Sequence, residues 1–464
     1  MNEQADRFDF VVIGGGAAGE GAAHLALDRG ASVAVIERDL FGGSCAYWAC
    51  MPSKALLRAA AVHHAGGDYP WPRAAAFRDW MISRDPQTDY PDDTRHVRDI
   101  EDKGGVAIRG VARLDGPGRV AISARSGDSR VVTAAHIVLA VGSDSRIPPI
   151  DGLADVPYWT NREATSTAVL PPSLLILGGG PTGVELAQVF ARYGVPTTIV
   201  DSNTRLLARD HPRNSQALGT ALERDGVRVL TGVRAQRARA RAGTDGAHLF
   251  ELSDGSTVEG HAVLLAIGRS YPLAGLGLET IGLEFTDDGP RPDATLQIAP
   301  QVYLVGDPAG PEMHTHLAHY EGEVAVRIAL GDETGPDFRA IPRATYTDPE
   351  TASVGLTVEQ ATEQGFEVIE RSADLAASAK GQVSETDGHV TVVVDRQRQT
   401  LLGAFIAGPG ASEAIHEAVL AVKLQVPLHV LADTLHAFPT TARVMGTLFG
   451  AVARELAPSA DEEL

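Results

Sequence analysis

The sequence predicts an α/β protein with two Rossmann-like dinucleotide-binding units, one interrupting the other, and a separate α+β unit at its C-terminal end. Three observations lead to this reading. A strand, a glycine loop, a helix and a second strand occur in that order twice, over 9–37 and 174–201. Both copies carry the spacing Gly-x-Gly-x-x-Gly and end the second strand on a carboxylate. From about 341 the pattern changes to β-like runs, HVTVVV at 389–394 and LLGAFIAG at 401–408, beside an apolar helix near 412–424.

In the first copy the buried-strand run DFVVI (9–13) leads into Gly14, Gly16 and Gly19. A helical stretch then ends at Arg29-Gly30, and a strand over 32–36 finishes on Glu37. In the second copy LLIL leads into Gly178, Gly180 and Gly183, a helix closes at Tyr193-Gly194, and TTIV finishes on Asp201. The acid stands 23 residues after the first glycine in both, from 14 to 37 and from 178 to 201. Each copy also has a later apolar strand ending in a small-residue turn, LAVG with Gly142 and LAIG with Gly268.

The spacing has a physical reason. The first glycine permits the tight strand-to-helix turn, the second lets backbone approach a pyrophosphate, and the third lets helix pack on strand. The helix N-terminus presents free N–H groups and a partial positive charge to the phosphates, and the carboxylate accepts from ribose hydroxyls. One such motif is also met as a plain structural turn. Two, each with its acid in place, are what two bound dinucleotides require.

Two dinucleotide sites imply FAD together with NADH or NADPH. The expected division is therefore an FAD-binding domain over 1–150, an NAD(P)-binding domain over 151–270, a return to the FAD-binding part over 271–340, and the α+β unit over 341–464. The run VYLVGD (302–307) is a further buried strand ending on an acid, Asp307. Segments 66–95 and 203–217, polar and rich in Pro, Asp and Arg, read as loops. Only the acidic tail ADEEL is low in complexity.

At 464 residues the chain is too long for one core, which agrees with several packed units. Its 60 acidic against 40 basic residues give a formal charge of −20, the wrong sign for nucleic acid or an anionic membrane surface. No run approaches the ~18 apolar residues of a membrane span, and the N-terminal stretch has no export signal, so a cytoplasmic location is expected. No residue group suggests a metal site.

The two cysteines, Cys45 and Cys50, lie five positions apart. Such a pair is either two unrelated buried thiols or a redox couple, and the surrounding residues favour the couple. They read Gly42-Gly43-Ser44-Cys45-Ala46-Tyr47-Trp48-Ala49-Cys50-Met51-Pro52-Ser53-Lys54. A Cys-x4-Cys pair at a loop-to-helix transition brings its sulfurs together and remains reducible, and a helix N-terminus stabilises a thiolate.

This segment resembles the active-site segment of the class I pyridine nucleotide–disulfide oxidoreductases, the family of dihydrolipoamide dehydrogenase, glutathione reductase and mercuric reductase. The resemblance extends to both glycine motifs, to VYLVGD, and to YTDPETASVGLT, which looks like the opening of the family's dimerisation domain. It implies a homodimer acting on a small-molecule substrate. It also implies that Cys50 faces the flavin and Cys45 is the exposed interchange thiol, with Gly43, Ser44 and Lys54 among the flavin-binding residues. By the same resemblance Lys54 matches the family lysine near the flavin, Glu185 would be its partner, and Asp307 matches the acid that binds the ribityl chain.

One departure stands out. The family ends on His-Pro-Thr-x-Ser-Glu, whose histidine comes from the partner subunit and serves the thiols as acid and base. Here Pro439 and Thr440 set the register of Leu435-His436-Ala437-Phe438-Pro439-Thr440-Thr441-Ala442-Arg443. Phe438 then occupies the histidine position and Arg443 the glutamate position. His436, two residues upstream, reads as a packing or backbone-bonding residue. General acid–base help is worth ~10²–10⁴ in rate, and a phenyl ring carries no proton, so slow reduction of ordinary disulfides is expected. Mercuric reductase chemistry is disfavoured because the chain has no third cysteine.

The phenylalanine is similar to that of 2-ketopropyl coenzyme M oxidoreductase/carboxylase, a branch that cleaves a thioether and excludes a proton donor. That branch has histidine where Arg443 stands. Arg443 would bind an anionic substrate, stabilise a developing enolate, or serve as an ordinary surface arginine. The favoured reading is electron flow from nicotinamide through FAD to the Cys45–Cys50 disulfide and on to a substrate the sequence does not identify. The alternatives are direct reduction of a quinone or other acceptor, and a flavin-bound redox sensor without turnover.

Overall fold

A computed structural model of the chain describes residues 6–124, 127–241, 246–284 and 289–457; the acidic tail lies outside them. The chain divides into two compact units. The first comprises Met1–Ala55, Ala75–Arg146 and Gly268–Asp337, and the second Leu56–Ala74, Ile147–Ile267 and Phe338–Leu464.

The first unit is built on a sheet whose central strand, Arg7–Ile13, pairs in parallel with Val33–Glu37 on one side and Ser129–Leu139 on the other. Val106–Arg109 extends it beyond Val33–Glu37, and Val302–Leu304 extends it beyond Ser129–Leu139, both parallel. Phe10, Val11 and Val12 are fully buried. That is why these strands read as unbroken apolar runs and not as alternating ones. The chain leaves the central strand where its two neighbours diverge, so the Gly14 loop stands at a topological switch point. Helices Ala17–Asp28 and Thr315–Ala329 pack closely: a Cβ on Gly322 would come within 2.1 Å of the Ala18 carbonyl oxygen.

The second unit repeats the arrangement. Leu174–Leu177 pairs in parallel with Thr197–Asp201 and with Ala262–Leu265, and Arg228–Thr231 completes four strands. Beside them Ala235–Arg239, His248–Leu252 and Thr257–Gly260 form an antiparallel sheet. The C-terminal part is an antiparallel sheet of five strands in the order Arg343–Thr345, Thr351–Gly355, Thr400–Ala407, His389–Asp395 and Val368–Asp374. Helices Ala411–Leu424, Leu428–Asp433 and Thr441–Leu456 accompany it, sharing one apolar core with its strands.

Within this unit the Tyr346–Asp348 segment grips one face of the helix Pro181–Arg192. The Tyr346 and Asp348 N–H groups donate to Glu185 Oε1 (3.0 Å) and Gln188 Oε1 (2.7 Å), and Arg192 pairs with Asp348 at 2.9 Å. Positions 185, 188 and 192 fall on one side of a helix.

Two stretches read as loops contain helices. Trp71–Met81 lies inside 66–95, and Pro212–Arg224 begins inside 203–217. Both have proline in the first turn, Pro72 and Pro212, where a missing N–H costs nothing. In these segments proline marks a helix start.

Candidate active site

In the first glycine loop, Gly14 has φ +108°, and a Cβ there would meet the Ala140 carbonyl oxygen at 2.2 Å. A Cβ on Gly19 would meet the Gly14 oxygen at 1.9 Å, and one on Gly43 would meet Gly16 Cα at 2.7 Å. The loop and the start of the cysteine segment therefore run backbone against backbone. Gly142, at φ +64°, has no protein atom within 4 Å of its Cβ position and faces open space. Glu37 is buried; its two oxygens accept from the N–H groups of Gly15 (2.7 Å) and Asp39 (2.6 Å). Burial pushes its carboxyl up while these two donors pull it down. Asp307 accepts from the Ser143 hydroxyl and lies 3.6 Å from Arg269.

The second loop has the same geometry. Gly178 has φ +112° and its Cβ would meet the Ala266 oxygen at 2.2 Å, whereas a Cβ on Gly183 would meet the Gly178 oxygen at 2.0 Å. Gly180 faces open space. Asp201 accepts from Gly179 N–H, and its other oxygen accepts from the Asn203 N–H (2.7 Å) and side-chain amide (2.8 Å). Arg205 is engaged elsewhere, donating to the Asp210 carbonyl (2.6 Å) and the Ser215 hydroxyl (2.9 Å). Gly268, at φ +116°, opens the last segment of the first unit.

The cysteine segment folds as a short helix, Gly43–Tyr47, and a longer one, Cys50–His64. Ser44 and Cys45 lie on the first; Cys50 begins the second, with Lys54 one turn on. Both cysteines are thiols outside a disulfide and are partly exposed. Hydrogen bonding to Cys50 and burial hold the Cys45 thiol well above the usual range, while the Thr315 hydroxyl and the Lys54 ammonium act in the opposite sense. Of the two effects, those of Cys50 and of burial prevail, and the shift of Cys45 is upward. Cys50 Sγ lies 3.2 Å from Thr315 Oγ1, and Lys54 Nζ lies 3.4 Å from Ser53 Oγ. Glu185 is buried in the second unit, bonded to Tyr346 N–H.

Phe438 is 75 % exposed and the adjoining Leu435 95 %. Arg443 is exposed in the first turn of Thr441–Leu456, where its N–H is capped by the Thr440 hydroxyl at 3.1 Å. His436 bonds a side chain and not the backbone: its Nε2 is 2.9 Å from both oxygens of Glu417. Its ring fills the space where a Cβ on Gly446 would stand, at 2.5 Å.

Three site neighbours had no signal in the sequence. Thr315 touches the Cys50 thiol from 265 residues away. His96, paired with Glu20 at 2.6 Å, packs where a Cβ on Gly42 would lie. Glu321 is fully buried, accepts from Gly306 N–H at 2.7 Å, and has its carboxyl pushed up to about 8 by burial. Only the fold brings these residues to the loops they support.

An open nucleotide loop beside a pair of thiols in the first unit, and a second such loop with its own acid in the second, are the parts of a flavin-dependent disulfide oxidoreductase. The chain matches the pyridine nucleotide-disulphide oxidoreductase family over residues 8–322 and that family's dimerisation domain over 341–449. It belongs to this family, whose members use FAD and NAD(P)H. Dihydrolipoyl dehydrogenase of Halobacterium salinarum is 32% identical over 449 residues, 93% of each chain. Mercuric reductase of Streptomyces lividans is 32% identical over 458 residues, 94% of each. Among solved structures, LpdA of Mycobacterium tuberculosis superposes with a TM-score of 0.85 at 25% identity, over 97% of this chain and all of that one. The HOCl-induced flavoprotein disulfide reductase RclA of Escherichia coli superposes with a TM-score of 0.84 at 24% identity, over 96% and 100%, a likeness of fold. Among the described residues no helix is long and apolar enough to cross a membrane.

Proposed function

We propose that the protein is a cytoplasmic homodimer that takes electrons from NADH and delivers them through Cys45 and Cys50 to a small-molecule substrate. FAD, when bound, supplies the two-electron carrier between nicotinamide and thiols. The open space at Gly142, the backbone contact between Gly16 and Gly43, and the buried Glu37 fit that group. In this reading Gly14, Gly16, Gly19, Glu37, Gly43, Ser44, Lys54, Gly142 and Asp307 hold it. Gly178, Gly180, Gly183, Asp201 and Gly268 hold the nicotinamide dinucleotide, and Lys54 and Glu185 form an ion pair beside the flavin.

The reading is carried by the thiol pair: two interacting sulfurs, Cys45 with its proton affinity raised by Cys50 and by burial, and Cys50 at the start of a helix. Two electrons and one proton convert the Cys45–Cys50 disulfide into a pair of one thiol and one thiolate. Cys45 is then the sulfur that exchanges with substrate. NADH is the donor because the Asp201 carboxylate repels a 2′-phosphate, and Arg205 is already committed to Asp210 and Ser215.

Steady-state oxidation of NADH and NADPH with disulfides, thioethers and quinones, in the wild type and in Cys45→Ser/Cys50→Ser, tests this. The expected outcome is a lower KM for NADH and loss of activity in the double variant. Quinone reduction that survives without the cysteines would replace the dithiol route with direct flavin oxidation.

A further inference from the structure

The thiols have no imidazole at position 438, yet they have a protic partner within their own unit. Thr315 opens the helix Thr315–Ala329, and its Oγ1 lies 3.2 Å from Cys50 Sγ. The same hydroxyl acts on Cys45, drawing its proton affinity down against the effects of Cys50 and burial. One O–H group is thus within hydrogen-bond distance of Cys50 and acts on Cys45 as well. A hydroxyl both donates and accepts, so it passes a proton between two atoms without being ionised itself.

We infer that Thr315 is a catalytic residue of the thiol chemistry, moving one proton among Cys45, Cys50 and the departing sulfur of a disulfide substrate. This rests on the dithiol reading above. In this scheme the singly protonated pair starts with its proton on Cys45 and its charge on Cys50. Thr315 gives its hydrogen to Cys50 and takes that of Cys45, leaving Cys45 as the nucleophile. Attack on a substrate R–S–S–R breaks its S–S bond, forms a Cys45–S–S–R mixed disulfide and releases RS⁻. Through the same hydroxyl the proton on Cys50 passes to RS⁻, giving RSH. The Cys50 thiolate then attacks Cys45, re-forming the Cys45–Cys50 disulfide and releasing the second RS⁻, which takes its proton from water. Two electrons leave the pair, and the substrate becomes two thiols.

The route makes the need for Thr315 depend on the leaving sulfur. A basic aliphatic thiolate needs the proton; an acidic aromatic thiolate leaves without it. The experiment pre-reduces the FAD-loaded enzyme with one equivalent of NADH and mixes it with lipoamide or with an aromatic disulfide such as 5,5′-dithiobis(2-nitrobenzoate). Thr315→Val is expected to slow the aliphatic reaction ~10-fold or more and the aromatic one less than ~2-fold. Thr315→Ser should restore both. In the same variants, the pH dependence of Cys45 alkylation by iodoacetamide should move upward for Thr315→Val and stay in place for Thr315→Ser.

Equal slowing of both disulfides would make Thr315 a packing residue and overturn the inference, as would unchanged rates for both. Cys45→Ser/Cys50→Ser separates the two levels. Loss of activity there with normal Thr315→Val kinetics overturns only the role of Thr315, whereas retained activity there overturns the dithiol route itself.

Discussion

At the scale of single residues, the proposed dithiol chemistry turns on Phe438 and Arg443, which the sequence register sets where the family carries its acid–base pair. On that reading the groups proposed for the reductive half-reaction lie elsewhere in the sequence, in the glycine motifs and the cysteine segment. Rapid mixing with NADH is therefore expected to give fast flavin reduction, with slow turnover on lipoamide. Phe438→His with Arg443→Glu restores the family's acid–base pair, and should raise lipoamide turnover ~10-fold or more once FAD content is shown to be normal. A wild type already as fast as its relatives would remove the handicap. His436 is a poor substitute donor, because both oxygens of Glu417 hold its Nε2.

Glu321 makes a second residue-scale prediction. Burial lifts its carboxyl from 4.5 to about 8, so the folded chain keeps a proton that the unfolded chain loses. Its contribution to stability is complete below pH 4.5 and is lost as the pH rises toward 8. Glu321→Gln does not titrate, so it should be more stable than the wild type at pH 8, by roughly 1–3 kcal/mol, and the difference should shrink at pH 5. Urea midpoints at the two pH values read this directly; identical pH slopes would mean that Glu321 is ionised in the folded protein.

At the scale of elements, the three glycines of the second loop do different work. A Cβ on Gly183 runs into the Gly178 oxygen at 2.0 Å, so Gly183→Ala must push helix off strand. It is expected to destabilise the protein by about 1–3 kcal/mol. Gly180 has an ordinary backbone (φ −77°) and open space at its Cβ. Gly180→Ala should melt like the wild type but raise the KM for NADH severalfold, because only the dinucleotide meets the added methyl. Thermal melts and KM values on both variants separate stability from binding; an unchanged KM in Gly180→Ala would remove this loop from the nicotinamide site.

At the scale of the whole molecule, the C-terminal part exposes several large apolar side chains. Leu420 and Leu424 on Ala411–Leu424 are 58 % and 63 % exposed, and Leu435 and Phe438 follow on the loop before the last helix. All four lie in the matched dimerisation domain, where a second subunit would cover them. Leu424→Glu is expected to shift the protein to monomer in light scattering and to abolish NADH-linked turnover while FAD stays bound. An active monomer would show that no residue from a second subunit is required.

Much of this protein was determined by local sequence. The paired glycine motifs, their acids and the cysteine segment are short-range patterns, because a tight turn, a phosphate-facing helix start and a nearby thiol pair each need particular residues at fixed spacing. The apolar runs declared the buried parallel strands for the same reason. The two helices that begin with proline were missed because proline is read as a break until its place in the first turn is known. Only the tertiary structure set Thr315 against Cys50, Glu321 against Gly306 and Tyr346 against Glu185. It also decided that His436 is bound to a carboxylate and that Arg205 is committed to Asp210 and Ser215. These pairings join residues far apart along the chain or turn on where a flexible side chain points, and packing settles both.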